Sequence, residues 1–284
     1  MSTSSSASAS IDRGSTAVAP PDSPAVRNVH EPPLWARIVS VWFRHVRVYS
    51  RNLISNALPP FLEPLIFLVG IGIGLGRYID QMNGFPYLEY LGSGLLVTAA
   101  MFTAAFECTF GTYIRMEFDK VYDGMLAAPL TAKDVLVGEI LWAATKGFAF
   151  TLSVLVIISV FGVIPIGWSL AAPFVGFLTG AMFAVLGLVI TSFVDSINHF
   201  NFFFSGVISP MFFFSGVFFP IENLPVVVRP ISEVLPLTHA VRLVRSLALG
   251  TPNPVWWLDL LYVFAFIGIV GWFAIRRLEK KLID

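Results

Sequence analysis

The sequence predicts an all-α polytopic membrane protein with six transmembrane helices. Three observations predict it. Hydrophobic residues make up 56% of the 284 and charged residues 13%, with a mean hydropathy of +0.78. A soluble domain carries about 25% charge. Apolar stretches of roughly 20 residues, the length a helix needs to cross a bilayer, recur along the chain. Threaded as six spans, the chain places Arg37, Arg44, Arg47, Arg51, Arg115, Lys120, Lys133, Arg276, Arg277, Lys280 and Lys281 on one side. The positive-inside rule then puts both termini in the cytoplasm.

Residues 1–33 are a different material. The MSTSSSASAS start and the Pro, Ala and Val residues after it lack a core pattern, and no apolar signal segment is present. This stretch reads as a disordered cytoplasmic tail. An amphipathic helix follows over 34–53. Trp35, Ile38, Trp42, Val46, Tyr49 and Leu53 recur at helical spacing, with Arg37, Arg44, Arg47 and Arg51 toward the other side. Aromatic anchors and a basic face belong at a membrane interface on the anionic cytoplasmic leaflet.

The remaining chain, 54–284, reads as the six-span domain. The first span, about 57–76, carries Pro59, Pro60, Pro64 and the carboxylate of Glu63. It also carries the pairs Gly70/Gly74 and Gly72/Gly76, a small-xxx-small spacing that permits close helix approach. That glycine run lacks the Lys-Ser/Thr ending of a phosphate loop. After a polar loop over 77–89, the second span runs from Leu91 to Ile114 with Glu107 inside it. The third, about 135–161, holds Glu139 and Lys146 two turns apart, on one face but not directly paired. The uncharged turn IPIGWS leads to the fourth span, about 170–193. A tight turn at Asp195–His199 leads to the fifth, about 200–219, dense in phenylalanine and kinked at Pro210. Residues 221–254 alternate Pro breaks with apolar pieces too short to span, which fits two short helices dipping into the outer membrane surface. The last span, about 255–275, opens on the interface anchors Trp256 and Trp257.

The stretch FDKVYDGMLAAPL at 118–130 organises the rest. It sits between the second and third spans, too polar for hydrocarbon and too short for a domain. Read as a helix stopped by Pro129, it places Phe118, Tyr122, Met125 and Leu126 on one stripe. A short amphipathic helix held at the membrane surface is a docking device for a soluble partner; the plainer reading is a surface loop. Zero net charge excludes a bulk attraction to nucleic acid. The single cysteine, Cys108, excludes an intrachain disulfide, and isolated His199 and His239 give no metal site. Intramembrane Glu63, Glu107, Glu139 and Lys146 are functional candidates: the carboxylates for proton relay, or the whole set for bonds between helices at span ends or for lining a wet cleft. Phe212, Phe213 and Phe214 fit either core packing or a wall for an amphiphilic substrate.

Four motifs carry a resemblance over about 34–284: GEILWAATK at 138–146, PYLEYLGSGLL at 86–96, FFFSGVFFPIENLP at 212–225 and LPLTHAVRLVR at 235–245. They resemble the type-2 ABC exporter permeases, and within them the NodJ-type branch that exports lipo-chitooligosaccharide nodulation factors. The resemblance implies a homodimeric inner-membrane permease with no nucleotide site of its own, driven by a separate ATP-binding subunit that holds ATP and Mg. It implies that Phe118, Asp119, Tyr122, Met125 and Leu126 belong to a coupling helix. Trp35, Arg37, Trp42, Arg44, Arg47 and Arg51 would belong to an interface helix beside it. Glu63, Glu107 and Phe212–Phe214 would lie along the substrate path. The rivals are an integral membrane enzyme using Glu63 or Glu107 as base, and a proton-coupled carrier. Carboxylates scattered singly along the sequence disfavour the enzyme.

Overall fold

The computed structural model describes residues 32–52, 58, 62, 65–251 and 253–283. The Ser-rich stretch and Glu63 lie outside the described residues. Among the described residues the architecture is helical apart from one hairpin of two-residue strands, Gln81–Met82 with Phe85–Pro86. Helix α1 is Leu34–Ser50, opened by Pro33 immediately before it. Helix α2 is the shorter apolar helix Leu65–Gly76. Four helices among the described residues are long and apolar enough to cross a membrane: α3 (Tyr87–Phe118), α5 (Ala132–Val160), α6 (Trp168–Phe193) and α10 (Trp256–Leu282). Between α3 and α5 stands α4 (Val121–Leu126). A further helical run over 200–214, here α7, precedes the short helices α8 (Arg229–Val234) and α9 (Pro236–Ala248).

Helix α3 lies at the centre, packed by α5, α6 and α9, and nearly every side chain from Tyr90 to Ala105 is buried. Helices α5 and α6 approach most closely, because glycines face each other. A Cβ added to Gly147 would lie 2.6 Å from the Gly176 carbonyl oxygen and 3.1 Å from the Gly180 Cα. Small residues at a crossing let backbones touch, the packing that serves where lipid supplies no hydrophobic drive. Helix α10 packs on α6 along one side only. Its other side shows Leu258, Leu261, Phe264, Ile269 and Trp272 to the surroundings.

Several boundaries differ from the sequence reading. The expected glycine contact in the first span holds at Gly72 alone, whose added Cβ would meet Leu88 Cδ1 at 2.5 Å; Gly70, Gly74 and Gly76 face open space. The second span begins earlier, at Tyr87, since the loop before it folds into the hairpin. The fifth stops at Phe214 rather than at 219. Residues 215–219 form a turn in which Gly216 takes a φ of 80°, accessible to glycine at little cost. Pro210 leaves its mark as a π-helical turn at Phe204–Ile208 just before it, where the ladder adjusts to a missing donor. The short helices α8 and α9 match the expected two pieces after 221.

Candidate functional site

The residues around 118–130 fold as expected in outline and differ in facing. The chain turns sharply at Lys120, which adopts a left-handed φ of 49°, and α4 starts there. A capping box opens α5: the Asp134 amide donates to Thr131 Oγ1, and the Thr131 amide donates to Asp134 Oδ2 at 2.8 Å. Tyr122 and Met125, read from the sequence as part of a docking stripe, point into the protein and are 1% and 7% exposed. That assignment is corrected. The apolar stripe of so short a helix seats it on its own chain, and the outward surface is Phe118, Asp119, Lys120, Asp123 and Gly124. Phe118 is 63% exposed; Leu126 is half-buried against the core.

Behind α4 lies a buried cluster of charge. Tyr122 Oη donates to Glu139 Oε1 at 2.7 Å. Burial, and then the Glu139 charge, push the Tyr122 phenol well above the ordinary tyrosine range, so the hydroxyl stays protonated and donates. Arg115 forks onto Glu139, with Nε donating to Oε1 at 3.1 Å and Nη2 to Oε2 at 2.6 Å. Its Nη1 donates to Glu107 Oε1 at 2.7 Å, and Lys146 Nζ donates to Glu107 Oε2 at 2.7 Å. From α1, His45 Nε2 lies 3.2 Å from Glu139 Oε1, and Trp42 Nε1 donates to Thr145 Oγ1 at 3.0 Å. Two carboxylates thus meet one arginine and one lysine, which satisfies the rule that buried charge be paired and hydrogen-bonded. Glu139 joins four elements at one side chain: α1, α3, α4 and its own α5.

The sequence reading scattered these carboxylates; the fold gathers Glu107 and Glu139 around Arg115. Glu139 and Lys146 do not pair with each other, as their spacing suggested, because each bonds across to α3. His45, Glu107 and Glu139 bring three ligand-type atoms within 4.8 Å of one another. The same carboxylates are held by Arg115 and Lys146, so a cation would have to displace both. A cavity of about 350 Å³ opens beside the cluster between α1 and α3, lined by Arg44, Tyr49, Glu107, Arg115, Trp142 and Lys146.

The other expected site residues divide. Trp42 packs and bonds inward, and Arg37 pairs with the capping Asp134 at 3.4 Å. Arg47 and Arg51 stay exposed, as does Trp35, with Arg44 between the two groups. Phe212 is a packing residue, 3% exposed and ringed by Phe67, Phe102 and Phe218, whereas Phe213 is 47% exposed. Sequence reasoning missed His45 altogether and counted Arg115 only toward sidedness. An i, i+8 carboxylate–arginine spacing at the foot of an apolar span, Glu107 to Arg115, is the signal that was available. His239 is not isolated either: its Nδ1 lies 2.7 Å from Asp259 Oδ1 and its ring stacks on Tyr262.

Residues 36–249 match the ABC-2 type transporter family. Nodulation protein J of Rhizobium leguminosarum bv. viciae is 34% identical over 215 residues, 75% of this chain and 83% of that protein. Nodulation protein J of Neorhizobium galegae is 32% identical over 246 residues, 86% and 93% of the two chains. The inner membrane transport permease YadH of Escherichia coli K12 is 20% identical over 207 residues, 73% and 80%. The match covers α1, α4, the Glu139 cluster and the short helices before the last span, so the chain belongs to the ABC-2 type transporter family, as a multi-pass permease of the kind represented by nodulation protein J.

Proposed function

We propose that this chain is the membrane subunit of an ATP-binding cassette exporter that moves an amphiphile outward across the bacterial inner membrane. Two copies form the permease, and a separate ATPase subunit, carrying ATP and Mg, docks at the cytoplasmic end. Helices α2 and α7 belong to the two remaining spans of six, with both termini in the cytoplasm. Helices α8 and α9 sit at the outer surface.

One observation carries the reading. Glu139, on one span, accepts from Tyr122 of the short helix and from Arg115 of the preceding span, and lies 3.2 Å from His45 of the amphipathic N-terminal helix. A partner that pushes on the outward face of α4 therefore moves α1, α3 and α5 together rather than bending a loop. A packed, fully paired cluster transmits displacement because it has few intermediate arrangements. The Lys146 pairing also disfavours proton coupling through Glu107, since protonating that carboxylate would leave Lys146 without its carboxylate partner. The substrate class rests on the relatives: nodulation protein J names a role in nodulation, and the exposed Phe213 offers a ring surface for an amphiphile.

The test is purification of the tagged chain from its native membrane under conditions that preserve complexes, followed by an ATPase assay. The reading expects an ATP-binding subunit in stoichiometric yield with vanadate-sensitive hydrolysis. A lone permease that still transports would overturn it in favour of a proton-coupled carrier.

A further inference from the structure

Away from the charge cluster, at the Tyr90 end of α3, two cavities adjoin. The larger, about 530 Å³, is almost wholly apolar and lies between α6, α9 and α10, lined by Trp168, Val175, Leu243, Leu247, Trp256 and Leu260. The smaller, about 190 Å³, is polar and is lined by Tyr90, Glu222, Arg242 and Arg245 among others. Ser246 and Asn253 line both, so the two adjoin along one side of α9. The dimensions fall in the range of small-ligand sites, with an apolar body and a few polar groups at one end.

The charges in the polar compartment are unevenly matched. Arg242 is ion-paired, holding Glu233 at 2.8 Å and Asp259 at 2.9 Å. Arg245 reaches only neutral groups: Ser93 Oγ, the Tyr90 hydroxyl, and the Tyr90 and Gly216 carbonyls, at 3.0–3.3 Å. Among the described residues no carboxylate lies within ion-pair distance of it. Glu222 is exposed, faces the same cavity and likewise has no ion pair among the described residues. Its charge acts on Arg245 without touching it. A guanidinium with no ion pair, stacked 3.7 Å over the Tyr90 ring, and an exposed carboxylate thus flank one small compartment, with an apolar cavity beside it.

We propose that the adjoining cavities hold one membrane phospholipid with a zwitterionic, primary-ammonium head group: acyl chain between Trp168 and Trp256, phosphate on Arg245, ammonium toward Glu222. A head group bearing both signs completes Arg245 and Glu222 together, whereas a purely anionic head completes one and repels the other. The enclosed Arg245 gains from a counter-charge, and the exposed carboxylate of Glu222 at the rim then favours a head group that also carries an ammonium. The lipid would brace α9 against α6 and α10. The inference rests on the membrane setting alone and stands whether or not the transport reading does.

The full-length chain is purified in detergent, stripped of lipid, and its thermal unfolding followed as phosphatidylethanolamine or phosphatidylglycerol is added. Saturating phosphatidylethanolamine should raise the midpoint by roughly 5–10 °C, and phosphatidylglycerol by clearly less. Glu222→Gln, at an exposed position with no ion pair, should fold normally and erase the difference between the lipids. Leu247→Trp fills the apolar cavity and should abolish both shifts. An unchanged preference in Glu222→Gln overturns the head-group assignment. A full lipid shift in Leu247→Trp places the lipid elsewhere. Should Leu247→Trp fail to fold, the Glu222→Gln comparison decides.

Discussion

Replacing Tyr122 by Phe isolates the link between α4 and the rest of the protein. The substitution removes one hydroxyl and keeps the ring that fills the pocket. Glu139 loses the 2.7 Å bond from Tyr122 but keeps Arg115 and His45, so no charge is stranded. A hydrogen bond to a charged group contributes about 1.5–3 kcal/mol. If that bond seats α4, its local opening becomes about 10- to 150-fold more frequent at 1.4 kcal/mol per decade. Amide hydrogen exchange reads this directly. Exchange at 121–126 should accelerate by that factor, while exchange in the middle of α5 should not change. In membranes containing the ATPase, ATP should still be hydrolysed but less substrate should move per ATP. Unaltered exchange at 121–126 with unaltered transport per ATP would refute the role given to this bond.

Other predictions follow from the same geometry. Lys146→Met alone should destabilise the protein by about 3–5 kcal/mol in detergent unfolding, because Glu107 loses a buried partner; adding Glu107→Gln should recover part of the loss, and simple additivity would argue against direct coupling. Gly147→Ala should cost about 1–3 kcal/mol by forcing α5 off α6, while Gly74→Ala, facing open space, should be neutral; equal effects would contradict the close crossing. Phe213→Ala should lower transport without lowering the unfolding temperature, and Phe212→Ala should do the reverse; if transport is unmoved in Phe213→Ala, that ring lines no path. Paired Tyr122→Asp and Met125→Asp changes should impair folding itself, since both side chains are buried; normal insertion and stability would show that α4 is not seated as described.

Much of this was legible in the sequence. Run lengths of apolar residues located α3, α5, α6 and α10 to within a few residues, because a bilayer-sized helix leaves little freedom. Pro residues in 221–254 set the breaks around α8 and α9. What failed was facing. A helical stripe tells that Tyr122 and Met125 share a side, but not whether that side meets the chain itself or a partner. Spacing along one helix could not reveal that Glu139 and Lys146 each bond to α3, since pairing across helices depends on their packing. The glycine reading erred for the same reason: Gly70 and Gly74 satisfy the small-xxx-small pattern as well as Gly147, Gly176 and Gly180 satisfy close packing, yet only the second set meets another helix. Cys108 and His45 illustrate the limit, as both sit in places that only tertiary structure makes polar or apolar.

The central claim is that an ATP-binding subunit docks on the outward face of α4. The only native cysteine, Cys108, is buried, so a single introduced thiol can be read cleanly. The measurement is thiol-directed cross-linking in native membranes from Asp123→Cys, with Val226→Cys at the opposite end of α3 as the comparison. The account predicts a permease–ATPase adduct from position 123 and none from 226. Adducts from 226 alone, or equally from both positions, would contradict it.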